Sequence, residues 1–140
     1  MEKKSYPSGL GNCGIVSLVY LCDVTYEEAL RAILGVKVEK RGNWKGSTTL
    51  RDRQEAISLL GFTQKTYRTK NLFGREVTLS LLEKEAGPLL KGRKVMLKVR
   101  GHAFVYLDGR VWDQCNVGKP ANEVGFKDCR VTHITEIISG

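Results

Sequence analysis

Along the chain the apolar residues change period once, from helical to strand spacing. Ile15, Val16, Leu18, Val19, Leu21 and Cys22 make the segment from Cys13 to Cys22 apolar almost all round. Such a helix is a central, buried one, and Asn12 stands at its N-cap position. Thr25-Tyr26-Glu27-Glu28 reads as a capping box that opens a second helix through about Leu34, with Gly35 as its stop. Residues 36–47 carry Gly42, Asn43 and Gly46 and read as a loop. A third helix is predicted over about Thr49 to Leu60, with Leu50, Ala56, Ile57, Leu59 and Leu60 facing inward. Phe62 to Tyr67 fits a short strand, residues 68–77 look irregular, and Thr78 caps a fourth helix from Leu79 to Ala86, ended by Gly87-Pro88.

Beyond Pro88 the spacing is that of strands. Val95-Met96-Leu97-Lys98-Val99 is one and Ala103-Phe104-Val105-Tyr106-Leu107 the next. Asp108-Gly109 is a two-residue hairpin turn, Arg110 to Asp113 begins the return strand, and Val131 to Ile138 reads as a last strand, with a helix as the alternative. Helices followed by an antiparallel sheet define an α+β domain, residues 1–140 forming one unit.

The hairpin fixes a register. With Leu107 opposite Arg110, Phe104 faces Asp113 and His102 faces Cys115. His102 and Asp113 then lie diagonally on one face, where a carboxylate can hold one imidazole nitrogen and leave the other for a thiol. Cys13 supplies that thiol. It opens a helix, where backbone N–H groups and the helix dipole favour a thiolate, and Gly11 and Gly14 leave room for a substrate backbone. Nucleophile, base and orienting acid are what cysteine catalysis requires. Cys115 falls on the His102 face but has no helix dipole and ranks below Cys13. Cys22 and His133 are read as structural, and Trp112 as a core residue. Trp44, in a glycine-flanked loop, is a candidate for lining a cleft.

Charge and cysteine content narrow the function classes. Net charge is +8 over 140 residues, which favours acidic partners and permits nucleic acid without an arginine-rich or aromatic-basic motif to support it. The four cysteines, Cys13, Cys22, Cys115 and Cys129, form no C-x-x-C pair, so neither a zinc site nor a disulfide framework is expected. No apolar run reaches the ~20 residues of a membrane span. The N-terminal residues lack a secretory signal pattern. A cytoplasmic protein without cofactor or metal is expected, acting on a peptide or protein.

Asn12-Cys13-Gly14-Ile15-Val16-Ser17-Leu18 resembles the nucleophile helix of papain-like cysteine peptidases of the bacteriocin-processing type. Gly101-His102-Ala103 through Val111-Trp112-Asp113 is similar to their histidine strand and the acidic strand after it. The stretch from Gly92 to Asp113 looks closer still to small phage and bacterial proteins of that clan. The resemblance implies a papain-like fold, with a buried nucleophile helix packed on a C-terminal antiparallel sheet. It implies a hydrolase of peptide or isopeptide bonds with Cys13 as nucleophile, His102 as base and Asp113 as its orienting acid.

One position departs from the pattern. Such enzymes place a glutamine about six residues before the cysteine, where this chain has Pro7, and no glutamine precedes Cys13. The oxyanion hole then falls to the Cys13 backbone N–H and the Asn12 side chain. This leaves open an inactive scaffold that binds a host protein or nucleic acid, and an acyltransferase of transglutaminase-like type.

Overall fold

The computed structural model describes residues 1–7, 12–36 and 47–139. Helix α1, Cys13–Cys22, is buried at every position after Cys13, as an all-round apolar segment requires. It ends at Asp23 in the left-handed region (φ 54°). Asn12 occupies the N-cap position but does not cap: its φ of −87° and ψ of 0° lie outside the extended range in which a cap side chain reaches the helix N–H groups. Its amide instead donates to the Pro7 carbonyl at 3.4 Å, and its oxygen accepts from the Tyr26 hydroxyl at 3.2 Å.

Helix α2, Tyr26–Val36, opens on the expected capping box, with Thr25 and Glu28 exchanging hydrogen bonds of 3.1 Å. It does not stop at Gly35 but runs through it. A Cβ there would come within 3.3 Å of the Leu59 side chain, so the glycine serves the approach of α2 to helix α3, Leu50–Leu59. In α3 the buried stripe is Arg53, Ala56 and Ile57, at i, i+3 and i+4. Leu59 lies two residues past Ile57, swings to the outer side and is 62 % exposed, and Leu50 and Leu60 are only partly buried. Thr49 and Asp52 close a second capping box at its start.

Strand β1, Thr63–Arg68, follows. The stretch expected to be irregular contains a short helix α4, Thr69–Phe73, and strand β2, Val77–Thr78. Thr78 accepts from the Leu81 N–H at 3.2 Å and caps helix α5, Leu79–Ala86. Strands β3 (Val95–Val99), β4 (His102–Leu107), β5 (Arg110–Trp112) and β6 (Val117–Pro120) come next. A 3₁₀ turn, Ala121–Glu123, leads to β7 (Arg130–Val131) and β8 (His133–Ser139). Among the described residues, six strands form one sheet in the order β1-β8-β3-β4-β5-β6, and β2 pairs with β7 apart from it. Every pairing is antiparallel, and the architecture is α+β.

The sheet is covered on both faces. Met96, Val105 and Trp112 join α1, α2 and α3 in one apolar cluster, while Val95, Leu97, Phe104, Tyr106 and Val111 join α5 in the other. That is why β3 and β4 read as continuous apolar runs. The hairpin register is as expected, Leu107 opposite Arg110 and Val105 opposite Trp112. Asp108 and Gly109 both have positive φ, 49° and 79°, as the favoured tight hairpin turn demands. Pairing stops at Trp112, however, and the chain turns, with the Asp113 N–H donating to the Asn116 carbonyl at 2.7 Å. Cys115 therefore never faces His102 and is exposed. Among the described residues, no helix is long and apolar enough to cross a membrane.

Candidate active site

Cys13 is the first residue of α1. The first-turn N–H groups of a helix lack intrahelical partners, so the thiol stands beside a local positive field. The His102 side chain and the Ala103 backbone N–H both lie close enough to its sulfur to favour the thiolate. Ala103 lies two residues before Val105, the last β4 residue paired with β5, so its N–H falls beyond that ladder. Gly14 keeps the helix start close to the segment leading into α3: a Cβ on it would lie 1.8 Å from Thr48 Oγ1.

His102 is the first residue of β4 and follows Gly101, whose φ is +74°. Its Nε2 lies 2.8 Å from Asp113 Oδ2. That leaves Nδ1 as the nitrogen directed to the thiol. The imidazole is stacked on Phe104, with ring centroids 5.8 Å apart, and flanked by Phe126 at 4.9 Å. Two phenyl rings thus set the ring plane.

Asp113 is 1 % exposed, and its carboxylate is saturated with donors. Oδ1 accepts from the backbone N–H groups of Cys115 (2.8 Å) and Asn116 (2.7 Å), and the Asn116 amide reaches Oδ1 and Oδ2 at 3.0 and 3.1 Å. The Asp113 carbonyl accepts from the Tyr6 hydroxyl at 3.1 Å, and Tyr6 in turn pairs with the Tyr20 hydroxyl of α1 at 3.0 Å. The N-terminal segment therefore ties Asp113 to α1.

These contacts set the charges. Hydrogen bonding to His102 lowers the Cys13 pKa; burial opposes it, and the Ala103 N–H and the charges of His102 and Arg53 add to the lowering. Burial pushes His102 down, but Asp113 and the Cys13 sulfur outweigh it and bring its pKa up to about 9. Burial likewise works against the Asp113 carboxylate, and the hydrogen bonds from His102, Asn116 and Cys115 hold its pKa below the ordinary value. Lowered thiol and raised imidazole together favour a thiolate–imidazolium pair.

A cavity of about 400 Å³ opens beside the pair, lined by Cys13, Thr48, Arg53, Lys98, His102 and Ala103 among others. Arg53 is 3 % exposed. Its Nη1 donates to the Thr48 carbonyl at 3.1 Å and to Thr48 Oγ1 at 2.9 Å, while its Nε is buried without a partner.

The structure thus brings Cys13, His102 and Asp113 together. Asn12 adjoins them, its side chain bonded to Pro7 and Tyr26. The other thiols stand apart. Cys22 is buried and its pKa is pushed up to about 12, and Cys129 is exposed. His133 bonds to Thr132 Oγ1 at 2.9 Å, and Trp112 is core. Trp44 lies outside the described residues. Arg53, Asn116, Phe126 and Tyr6 were not legible as site residues. Only Asn116 left a signal: an Asp followed three residues later by Asn, after a strand, marks a side-chain-stabilised turn. Among the described residues, no group of three or more His, Cys, Asp and Glu forms a metal-holding cluster. Compared with known proteins, the chain matches no family model, no curated protein and no solved structure.

Proposed function

We propose that this protein is a cysteine-dependent hydrolase of peptide or isopeptide bonds, of papain-like type. The observation that carries this reading is His102, which holds Asp113 on Nε2 and leaves its other nitrogen for the Cys13 thiol at a helix start. The Cys13 thiolate attacks the scissile carbonyl carbon, and the C=O electron pair moves to oxygen. On collapse, the His102 imidazolium gives its proton to the leaving amine and the C–N bond breaks. Water, deprotonated by His102, then attacks the thioester and releases the acid and the Cys13 thiol. Asp113 keeps the ring oriented throughout. The backbone N–H of Cys13 and the Asn12 amide are the proposed donors to the oxyanion. All four cysteines are unpaired, which fits a reducing compartment such as the cytoplasm.

The test is the pH dependence of iodoacetamide alkylation, with each cysteine mapped by mass, in the wild type and in His102→Ala. Cys13 is expected to react fast near pH 6 and to lose that advantage without His102. A Cys13 no faster than the exposed Cys115 would sink the reading and favour a binding scaffold. A library of peptide and isopeptide substrates, with Cys13→Ser as the control, then separates hydrolysis from acyl transfer.

A further inference from the structure

The cavity beside Cys13 has an unusual charge distribution for a peptide-binding site. Beside the Cys13–His102 pair, two of its described lining residues are cations, Arg53 and Lys98, and none of the described ones is a carboxylate. Arg53 is desolvated to 3 % exposure, and its Nε has no partner. A guanidinium withdrawn from water keeps its charge poorly compensated, and an anion beside the group offsets that cost. Two negative groups among the described residues act on Arg53: first the Cys13 thiolate, which lines the same cavity, then the Asp52 carboxylate, which belongs to the α3 capping box, accepts from the Thr49 N–H at 2.9 Å and does not line the cavity. Lys98 approaches from the other wall. It pairs with Ala103 across β3–β4 and with His133 across β3–β8, and it is half-buried. Its charge and that of Arg53 reach as far as His133, whose protonated form burial, Lys98, Arg68 and Arg53 all disfavour.

We infer that this cavity is a substrate subsite for a carboxylate, so that the scissile carbonyl lies within about one residue of an acidic group on the substrate. The inference rests on the hydrolase reading and deepens it by naming the charge that substrate carries. An acidic side chain and a chain-terminal carboxylate share this chemistry. Both present two acceptor oxygens that a guanidinium and an ammonium hold together. Arg53, fixed by Thr48, supplies the directional donor, and Lys98 the second charge. In a partly dehydrated cavity such attraction is screened far less than on the open surface.

The experiment compares two alkylating probes of the same size, neutral iodoacetamide and anionic iodoacetate. With either, a carbon–sulfur bond forms at Cys13 and iodide leaves. The ratio of the two rates cancels the thiol's own nucleophilicity, and because the His102 imidazolium also favours the anionic probe, the subsite is read from the part of the ratio lost in Lys98→Gln. Exposed Cys115 and Cys129 serve as internal references in the same molecule. The iodoacetate-to-iodoacetamide ratio at Cys13 is expected to exceed theirs by about tenfold and to shrink in high salt. Lys98→Gln, a half-buried strand position that tolerates the change, is expected to lower the ratio several-fold. Arg53→Met is the second variant, read only if its circular dichroism is native.

Protection against iodoacetamide then separates the two sources. Acetyl-Ala-Asp-amide tests the side-chain carboxylate, acetyl-Ala-Ala with a free C-terminus tests the terminal one, and acetyl-Ala-Ala-amide is the neutral control. Protection by either acid above the neutral control supports the subsite and names the source. A Cys13 ratio unchanged in Lys98→Gln, whether or not it exceeds that of Cys115, overturns the inference. A slow absolute rate with iodoacetamide instead overturns the catalytic reading, and the two failures are told apart.

Discussion

The Asn116 side-chain amide donates to both carboxylate oxygens of Asp113, at 3.0 and 3.1 Å. The carboxylate that faces His102 is thereby locked in plane by a residue only three positions further on. An orienting acid is usually discussed as a single residue. Here it is a turn, built from Asp113, Cys115 and Asn116, that presents one free edge to the imidazole.

Asn116→Ala removes donors that favour the charged form of Asp113, so the pKa of that carboxyl rises toward its unfolded value. The wild-type pKa is depressed. Its contribution to stability is therefore present above the unfolded value of ~3.9 and lost as pH falls through the folded one. The variant is expected to lose about 1–3 kcal/mol at pH 7. The gap to wild type narrows below about pH 4. Urea denaturation at pH 7 and pH 3 checks both.

Asp113→Asn keeps the shape and removes the charge. Burial then dominates at His102, whose pKa falls from about 9 toward or below its ordinary value. The thiolate at Cys13 loses its counter-ion, and iodoacetamide alkylation near pH 6 is expected to slow by about tenfold or more. In the wild type the imidazolium stabilises the fold fully below the unfolded value of ~6.5, and that contribution disappears as pH rises through the folded value. The difference in denaturation midpoint between the two proteins should shrink over that same interval. Proton NMR of the imidazole gives the titration directly.

Phe126→Ala opens one wall of the imidazole site, since the Phe126 ring lies 4.9 Å from His102 and 4.6 Å from Phe104. Two effects follow with opposite signs. Stability drops by about 2 kcal/mol, less than for a fully buried ring. The His102 pKa rises further, because burial is the largest factor holding it down. A mere loosening of the fold would not move the titration upward.

Gly14→Ala places a Cβ 1.8 Å from Thr48 Oγ1, the same oxygen that holds Arg53 Nη1 at 2.9 Å. Overpacking of this kind costs about 1–3 kcal/mol. Thr48→Gly added to Gly14→Ala is expected to recover part of that loss, a non-additivity that marks direct contact. Thermal unfolding of the two single variants and the double closes the cycle.

The convergence of Cys13, His102 and Asp113 was legible because each position rests on local rules. Cys13 opens an all-round apolar helix, and the Asp108-Gly109 turn sets a register that carries through to Val105 and Trp112. The errors have one cause, in that a helix or strand pattern does not show what lies across from it. Gly35 looked like a stop because its role is to let Leu59 come near, and Leu59 looked inward because the stripe is phased on Arg53 instead. Arg53 itself was invisible, since a charged residue on a helix reads as solvated until the structure shows it dehydrated against Thr48. Cys115 was misplaced because pairing ends at Trp112, where the Asp113 turn competes with the ladder.

The position of β8 in the sheet has a consequence for synthesis. It is the last strand in sequence, yet it sits between β1 and β3 and is the only described strand that joins them. A nascent chain that has emerged as far as residue 130 already contains Cys13, His102 and Asp113, but β1 has no partner and β3 is a bare edge. The nucleophile helix packs on β3, β4 and β8 together. Closure of the sheet therefore waits for residues 133–139 to leave the ribosomal tunnel, whereas α1 finds most of its contacts with the sheet on β4. A chain stalled short of β8 would carry Cys13, His102 and Asp113 on a sheet whose two halves are not yet joined.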